Sequence, residues 1–250
     1  MPIDAELLLA ACMFLGAALY SSVGHAGASS YIALMALFGV APAVMRPIAL
    51  TLNIVVASFS SYRYWSAGYF RWRTLWPFLI GSVPFAFVGG AIQLPGEYYR
   101  PIVGVILLAG GIRLLLPKAV GAAREPRDPP AWLGALLGAG IGLLAGLTGT
   151  GGGIFLSPIV VFLGWSELRT ASGVASAFIL GNSVAGLLGN VTVVGSLPSV
   201  LPIYITAVLL GAIVGTTIGT KAATIWIQRA LGLVLIVASA KLIGGAMAAP

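Results

Sequence analysis

Two glycine-rich stretches are the residues of this sequence whose types and spacing point most directly to chemistry. Residues 24–28 (GHAGA) and residues 149–153 (GTGGG) interrupt apolar runs. Glycine frees the backbone from helical dihedral angles. A helix that starts directly after such a break directs unpaired N–H groups and the positive end of its dipole at the break. We therefore expect the two breaks to form an anion site. The alternative is a tight turn at the surface without a ligand.

Hydroxyl and amide groups flank both breaks and complete the expected anion site. A phosphate-binding loop is excluded for residues 149–153, because the Lys-Ser/Thr ending of that motif is missing. Asn53 and Asn182 lie on helices that also carry five hydroxyl side chains, those of Thr51, Ser58, Ser172, Ser176 and Ser183. We expect these side chains to face the breaks, with interhelical hydrogen bonding as the alternative. The predicted substrate-binding residues are Gly24, His25, Gly27, Ala28, Ser29, Ser30, Asn53, Thr148, Gly149, Thr150, Gly151, Gly152, Gly153 and Asn182.

Three basic residues near the breaks have two interpretations each. His25 is the only histidine. Its imidazole can donate to an anion or take up a proton, since an unperturbed imidazole titrates near pH ~6.5, or it can bond a neighbouring carbonyl. Arg46 and Arg169 occupy matching positions at the start of a polar-dotted helix in each half. Each guanidinium can attract an anion or extend to the lipid headgroups.

The elements that carry these residues are predicted to be transmembrane helices. Of the 250 residues, 59% are hydrophobic and 8% are charged, whereas a soluble domain has roughly 25% charged residues. Six acidic residues and one histidine leave little material for a protein-built metal centre, and we expect no cofactor. The acidic N-terminus does not match the basic start of a signal peptide, so we expect the first apolar run to be retained.

Ten apolar segments predict an all-α polytopic membrane protein made of two copies of five segments. They lie at roughly 7–23, 29–39, 44–62, 75–93, 101–117, 131–148, 153–164, 168–190, 200–220 and 228–247. We assign residues 1–123 to the first repeat, 124–130 to a cytoplasmic linker and 131–250 to the second repeat. The second segment of each half is too short for a full crossing, which predicts a half-helix or a re-entrant piece.

The net charge of +7 is interpreted as membrane topology and not as nucleic-acid binding. Arg63, Arg71 and Arg73 follow the third segment, whereas the matching loop 191–199 carries no charge. Lys and Arg accumulate on the cytoplasmic side, and five segments per repeat is an odd number. These observations predict inverted repeats with both termini external, a pattern typical of secondary transporters. Arg113, Lys118, Arg124, Arg127 and Lys221 fit this arrangement, and Tyr62, Tyr64, Trp65, Tyr69, Trp72 and Trp76 are predicted to form an interfacial aromatic belt.

Two further features bear on packing and substrate charge. Small-residue ladders at Gly134, Gly138, Gly142 and Gly146, and at Gly211, Gly215 and Gly219, predict closely packed helices. Asp4, Glu6, Glu97, Glu125, Asp128 and Glu167 all map to termini or loops. Cation transporters usually place carboxylates inside the membrane, so a cation substrate is disfavoured. No supporting nucleophile motif accompanies His25, so an intramembrane hydrolase is disfavoured.

Residues 146–158 (GLTGTGGGIFLSP), together with the paired breaks in a small basic membrane protein, resemble the sulfite exporter TauE/SafE family of anion permeases. The resemblance implies transport of sulfite or an organosulfonate such as sulfoacetate across the cytoplasmic (inner) membrane, with both breaks lining the path. The first break departs from the pattern at His25, Ala26 and Ala28, which argues against a symmetric site.

We therefore expect an alternating-access permease for a small sulfur-containing oxyanion, embedded in the lipid bilayer and with no nucleic-acid partner. An anion channel, a membrane-embedded enzyme and a scaffold protein remain alternatives. The sequence leaves open which anion is moved, in which direction and with which coupling ion. It also leaves the oligomeric state open, and a homodimer is one state that it allows.

Overall fold

The structure is a computed structural model that describes residues 3–22, 24–116, 127–190, 197–219 and 225–247. In these ranges the protein consists of ten helices, so the predicted all-α membrane fold is confirmed. Each predicted apolar segment corresponds to one helix. The helices are α1 (Ile3–Ser21), α2 (Ala28–Leu37), α3 (Pro42–Ser66), α4 (Trp72–Ala91), α5 (Gly96–Leu115), α6 (Ala131–Thr148), α7 (Gly153–Phe162), α8 (Leu168–Gly189), α9 (Leu201–Gly219) and α10 (Ile225–Met247).

Helix length separates the membrane-spanning helices from two short ones. By length and composition, α1, α3, α4, α6 and α8 can each cross a membrane. The helices α2 and α7 have only ten residues each, which is about half of what a crossing requires. The sequence predicted this incomplete second segment in both halves.

Polar contacts group the helix ends into two faces. At one face, Arg71 bonds Asp128 at 3.2 Å, Arg169 donates to the Tyr69 hydroxyl at 3.0 Å, and the N–H of Arg127 donates to the Gly164 carbonyl. This face contains the end of α3 and the start of α4, α6 and α8, and we call it the Arg63 face.

The opposite face is the Gln93 face. There the Gln93 amide donates to Asn190 Oδ1 at 2.9 Å, at the ends of α4 and α8. The Lys241 ammonium donates to the Leu37 carbonyl at 2.8 Å, which brings the ends of α2 and α10 to this face. Both short helices therefore end at a face of the molecule and begin in its interior.

Each short helix forms a hairpin with the helix before it. The α1–α2 hairpin opens at the Gln93 face, because α1 begins there and α2 ends there at Leu37. The α6–α7 hairpin opens at the Arg63 face, where α6 begins and where Gly164 follows α7. The tips of the two hairpins contain residues 24–27 and 149–152, which belong to the glycine-rich breaks.

Glycines allow close contact between parallel helices. A Cβ at Gly138, Gly142 or Gly146 would overlap a backbone carbonyl oxygen of α4. A Cβ at Gly211 or Gly215 would likewise overlap a carbonyl oxygen of α1. The ladders are therefore packing faces, as predicted. The side chains of α1, α2, α3, α5, α9 and α10 share one apolar core, and those of α4, α6, α7 and α8 share a second.

The structure corrects the assignment of Tyr64 to the aromatic belt, and several charged residues used in the topology prediction lie outside the described residues. Tyr64 does not belong to an exposed belt: only 8% of it is exposed, and its hydroxyl donates to the Ser21 carbonyl. Tyr62, Trp65 and Trp72 are exposed. Lys118, Arg124, Glu125, Lys221, loop residues 191–196 and the boundary at residue 123 lie outside the described residues, as does the side chain of Arg113.

Candidate functional site

The two glycine-rich breaks are in direct contact at the centre of the molecule. His25 Nε2 lies 3.1 Å from the carbonyl oxygen of Gly153. Because a carbonyl oxygen can only accept, Nε2 is the donor and carries the hydrogen. The first break therefore bonds the first residue of α7, and the residues that we predicted from the two halves share one location.

Asn53 on α3 connects the first break to α8. Its Oδ1 accepts the N–H of Ala28, the first residue of α2, at 3.1 Å, and its Nδ2 donates to Ser183 Oγ at 3.3 Å. Asn53 is completely buried. Gly27 precedes α2 with φ +98°, a backbone conformation that favours glycine. The N-terminus of α2 is thus held in place by a buried amide.

The second break is equally tight but is held differently. A Cβ at Gly151 would lie 2.6 Å from Asn53 Nδ2 and 2.8 Å from Ile179 Cγ2. Asn182 Nδ2 donates to the Gly151 carbonyl at 3.5 Å, whereas Asn182 Oδ1 is buried without a partner. Gly152 precedes α7 with φ +80° and has no side chain with which to cap it. The first N–H groups of α7 have no acceptor within their own helix.

The left-handed backbone conformation recurs at matching positions of the two breaks. Gly24 and Gly149 have φ +78° and +84°, and Gly27 and Gly152 have φ +98° and +80°. Gly39 and Gly164, which follow the two short helices, have φ +77° and +70°. The halves therefore use glycine for the same turns in the same order.

Serines of α8 pack against the first break. Ser176 Oγ donates to the Gly24 carbonyl at 2.8 Å, and a Cβ at Gly24 would overlap Ser172. The prediction that Thr51 and Ser58 face the breaks is wrong. The Thr51 hydroxyl donates to the Pro47 carbonyl of its own helix, and Ser58 is exposed. Their positions on α3 turn them away from the stripe that contains Asn53.

Hydroxyl groups at the breaks differ in availability. Ser30 Oγ donates to the Gly27 carbonyl, and Thr148 Oγ1 donates to the Leu144 carbonyl. Thr150 Oγ1 lies 3.0 Å from Thr148 Oγ1. Ser29 and Thr150 are buried at the start of α2 and within the second break. Of the predicted hydroxyls, those of Ser30 and Thr148 thus donate to the backbone.

Two buried tyrosines, which sequence reasoning did not assign to the site, bond the ends of the helices that lead into the breaks. Tyr64 donates to the Ser21 carbonyl at the end of α1, at 3.3 Å. Tyr99 donates to the Thr148 carbonyl at the end of α6, at 3.1 Å. In a sequence, a tyrosine near a basic loop indicates a membrane interface. The bond to a helix end depends on the direction in which each helix turns its side chains, which the sequence does not specify.

Arg46 is buried, with 5% of its surface exposed, and does not extend to the surface. Its guanidinium donates to the carbonyls of Ile92 (2.8 Å), Gly90 (3.2 Å) and Leu147 (3.4 Å). These carbonyls lie at the C-terminal ends of α4 and α6, where helix dipoles are negative. Arg46 also lies 3.5 Å from Gln93 Oε1. We call this arrangement the Arg46 clamp.

Arg169 differs from Arg46 although the sequence places the two at matching positions. It is exposed, donates to the Tyr69 hydroxyl and lies over the Tyr69 ring, 5.6 Å from its centre. It is thus a surface residue of the Arg63 face and does not reach the breaks. Only Arg46 of this pair contacts a break, since a Cβ at Gly149 would lie 3.1 Å from Arg46 Cγ.

The first residues of α2 and α7 lie at the tips, and the positive end of a helix dipole suits a negatively charged group. The positive ends of α2 and α7 are directed at one interior location, and Arg46 neutralises the carbonyls at the end of α6. Within the described ranges no group of three metal-ligating side chains is present. The carboxylates of the described residues stand at or near helix starts, at Asp4, Glu6, Glu97, Asp128 and Glu167.

Comparison with known proteins assigns the chain to a family. Residues 8–242 match the family model described as "Sulfite exporter TauE/SafE". The chain is 35% identical over 245 residues to the "Probable membrane transporter protein y4hK" of Sinorhizobium fredii (strain NBRC 101917 / NGR234), a match that covers 96% of this chain and 99% of that relative. No solved structure matches the chain.

The resemblance found in residues 146–158 is thereby confirmed. The match extends over nearly the whole chain and so includes both breaks and every helix that contacts them. The family and the relative are membrane transporters and not enzymes. This chain therefore belongs to the sulfite exporter TauE/SafE family and is a multi-pass membrane transporter.

Proposed function

We propose that this protein is a secondary transporter that moves a small sulfur-containing oxyanion, sulfite or an organosulfonate such as sulfoacetate, across the cytoplasmic membrane by alternating access. The observation that carries the proposal is the contact between the two hairpin tips, at which His25 bonds Gly153. Secondary transporters commonly bind their substrate where broken helices of two repeats meet. The tips of this protein are broken helices of that kind.

The charge at the tips favours an anion as the substrate. Each tip combines a helix C-terminus, which repels an anion, with a helix N-terminus, which attracts it. At the second tip, Arg46 bonds the Leu147 carbonyl near the end of α6 and offsets the repulsion. The unpartnered Oδ1 of Asn182 leaves hydrogen-bonding capacity at the same place. The second tip is therefore the stronger anion site of the two.

Alternating access requires two related halves, which we propose to be residues 1–123 and 131–250, joined by a cytoplasmic linker at residues 124–130. Asn53 faces Ser183, and Gly173 packs against Tyr64, so α3 and α8 run antiparallel. Gly104 and Gly111 pack against Ile243 and Gly232, so α5 and α10 also run antiparallel. Antiparallel pairing of equivalent helices is what inverted repeats produce.

The two faces differ in how far they are closed. On the Gln93 face, the Arg46 clamp joins α3, the end of α4 and the end of α6, and the Gln93 bond to Asn190 adds α8. On the Arg63 face, a pocket of about 200 Å³ opens between α3 and α9. This asymmetry supports a state that is open toward the Arg63 face, which we place in the cytoplasm.

A glycine pair tests the proposal. Gly151→Ala introduces a Cβ 2.6 Å from Asn53 Nδ2, whereas Gly164→Ala meets no atom within 4 Å. Both positions have positive φ, +74° and +70°, so both variants carry a similar backbone strain of about 1–2 kcal/mol. In proteoliposomes that take up radiolabelled sulfite or sulfoacetate, we expect Gly151→Ala to lose most transport and Gly164→Ala to retain it.

Binding and current measurements complete the test. We expect sulfite or a sulfonate to raise the unfolding temperature of the wild type, and sulfate and carboxylates to raise it less. The same loss of transport in both glycine variants would contradict a site at the tips. Unitary current steps in a planar bilayer would show that the protein is an anion channel and not a transporter.

A further inference from the structure

A pocket on the Arg63 face is separate from the hairpin tips, and among the residues that the structure describes its lining has one charged side chain. Its volume is about 200 Å³, and it is lined by Arg63, Tyr64, Ser66, Ala67 and Thr216. We propose that this pocket is an entry site for small oxyanions and that the Tyr64 side chain separates it from the first tip. The inference rests on the proposed function, because it describes how the anion reaches the tips.

Arg63 gives the pocket its affinity for anions. The hydroxyls of Ser66 and Thr216 already donate to backbone carbonyls, at 3.0 and 2.8 Å, so they have no hydrogen left for a ligand. A guanidinium offers several donors in a plane that fits two oxygens of one oxyanion. The site should therefore attract small oxyanions through charge and hold them weakly.

Three other arginines of this face have side-chain partners, whereas Arg63 is exposed at the pocket. Arg71 and Arg73 lie 3.2 and 3.7 Å from the Asp128 carboxylate, and Arg169 bonds Tyr69. Within the described part of the chain, no carboxylate lies within ion-pair distance of Arg63. Of the described lining residues, Arg63 is thus the one whose positive charge a ligand in the pocket would meet.

A polar stripe on α3 leads from the pocket to the first tip. Tyr64 lines the pocket and bonds the Ser21 carbonyl, at the end of α1. Ser60 lies one turn further inward on the same side of α3, and Asn53 lies two turns beyond it at the start of α2. The stripe therefore spans the distance between the Arg63 face and the tips.

Unpartnered hydroxyls accompany this stripe. The side chains of Ser21 and Ser60 are completely buried, and neither hydroxyl has a hydrogen-bond partner. Buried polar groups are rarely left unpaired. A polar ligand that passes between the pocket and the tip would supply the missing partner. These hydroxyls are therefore the second observation, independent of Arg63, that points to an anion on this route.

Thiol modification tests the pocket without relying on transport. In a Cys12→Ala background, which removes the only cysteine of the sequence, Ser66→Cys places a thiol in the pocket lining. We compare the modification rates by an anionic methanethiosulfonate (ethylsulfonate) and a cationic one (ethyltrimethylammonium) in purified protein. Arg63→Gln should lower the anionic-to-cationic rate ratio by about tenfold, and Arg63→Lys should preserve it.

Arg73→Gln is the matched control, because Arg73 lies on the same face but not in the pocket lining. It should leave the ratio within about twofold of the parent. An equal fall with Arg63→Gln and Arg73→Gln would mean that the whole face attracts anions, and the entry site would be overturned. An unchanged ratio with Arg63→Gln would overturn it as well.

Transport kinetics separate this inference from the proposed function. Arg63→Gln should raise the KM for sulfite severalfold with unchanged kcat at low ionic strength, and added salt should reduce the difference. If Gly151→Ala abolishes transport while Arg63→Gln changes neither the rate ratio nor KM, the entry site is wrong and the site at the tips stands. If the rate ratio falls as expected but the wild type moves no sulfur oxyanion, the pocket attracts anions and the proposed function is wrong.

Discussion

At the scale of single residues, one buried amide sets the geometry between the hairpin tips. Asn53 accepts from the start of α2 and donates to Ser183 on α8, so its amide group is used at both ends. A buried polar group that loses its partner costs about 1–3 kcal/mol. This cost holds the tips in place relative to α3 and α8.

We propose that His25, the only histidine of the sequence, takes up a proton at the tips and makes anion binding dependent on pH. A proton on His25 adds positive charge where the ring already contacts Gly153, so affinity should rise as the pH falls. We expect about a tenfold increase in affinity from pH 8 to pH 5 for a sulfonate, whose own charge is constant. Isothermal titration calorimetry at several pH values measures it.

The matched variant is His25→Gln, which keeps an N–H donor but does not titrate. Its affinity for the sulfonate should vary little between pH 8 and pH 5. The neighbouring ring is Tyr20, at 6.3 Å between ring centres, and a phenol is not expected to ionise in this range. An unchanged pH dependence in His25→Gln would remove the proton role from His25.

The sequence predicted which residue types meet at the tips but not how each side chain is used. The consecutive glycines stand out because they interrupt apolar runs, and the asparagines on α3 and α8 stand out because these helices are otherwise largely apolar. The sequence left the role of Arg46 open and wrongly assigned Tyr64 to the aromatic belt, because arginine and tyrosine near helix ends are typical of membrane interfaces. Their burial depends on how each helix is rotated, which a single sequence with apolar residues on all sides does not specify.

At the scale of helices, the parallel pair α4 and α6 shows why small residues recur every four positions. Gly138, Gly142 and Gly146 approach the carbonyl oxygens of Phe78, Ser82 and Ala86 in turn. In lipid, contact between helices is stabilised by close packing more than by the hydrophobic effect. The four-residue spacing predicted this packing from sequence, because it does not depend on which neighbour is contacted. The identity of the partner helix could not be predicted, since α4 differs in neither composition nor pattern from the other apolar helices.

A second glycine pair tests this packing. Gly142→Ala introduces a Cβ that overlaps the Ser82 carbonyl oxygen, whereas Gly140, on the same helix, has no atom within 4 Å of such a Cβ. We expect Gly142→Ala to destabilise the protein by about 1–3 kcal/mol and Gly140→Ala to change stability little. Thermal unfolding of both variants in detergent measures the difference. Equal unfolding temperatures for the two would show that α4 and α6 are not in close contact.

At the scale of the whole molecule, charge is distributed unequally between the two faces. The described cations of the Arg63 face are Arg63, Arg71, Arg73, Arg127, Arg169 and Arg229. The Gln93 face has Arg100 and Lys241, the buried Arg46, and the acidic Asp4, Glu6 and Glu97. Short cytoplasmic loops accumulate Lys and Arg. We therefore propose that the Arg63 face is cytoplasmic, an orientation in which the start of α1 and the end of α10 lie outside the cell.

Single cysteines test this orientation. In the Cys12→Ala background, Asp4→Cys and Glu97→Cys place exposed thiols on the Gln93 face, and Ala67→Cys places one on the Arg63 face. We expect a membrane-impermeant maleimide to label the first two in intact bacterial cells. Ala67→Cys should be labelled only after the membrane is permeabilised.

The result also decides from which compartment the anion enters. With the Arg63 face in the cytoplasm, the pocket at Arg63 receives anions from inside the cell, and the Arg46 clamp closes the outer side. Labelling of Ala67→Cys but not of Asp4→Cys in intact cells would show the opposite orientation, with the Arg63 face outside the cell. The hairpins and the contact between their tips would be unaffected, because they are defined by contacts within the protein. The pocket would then admit anions from outside, as uptake requires.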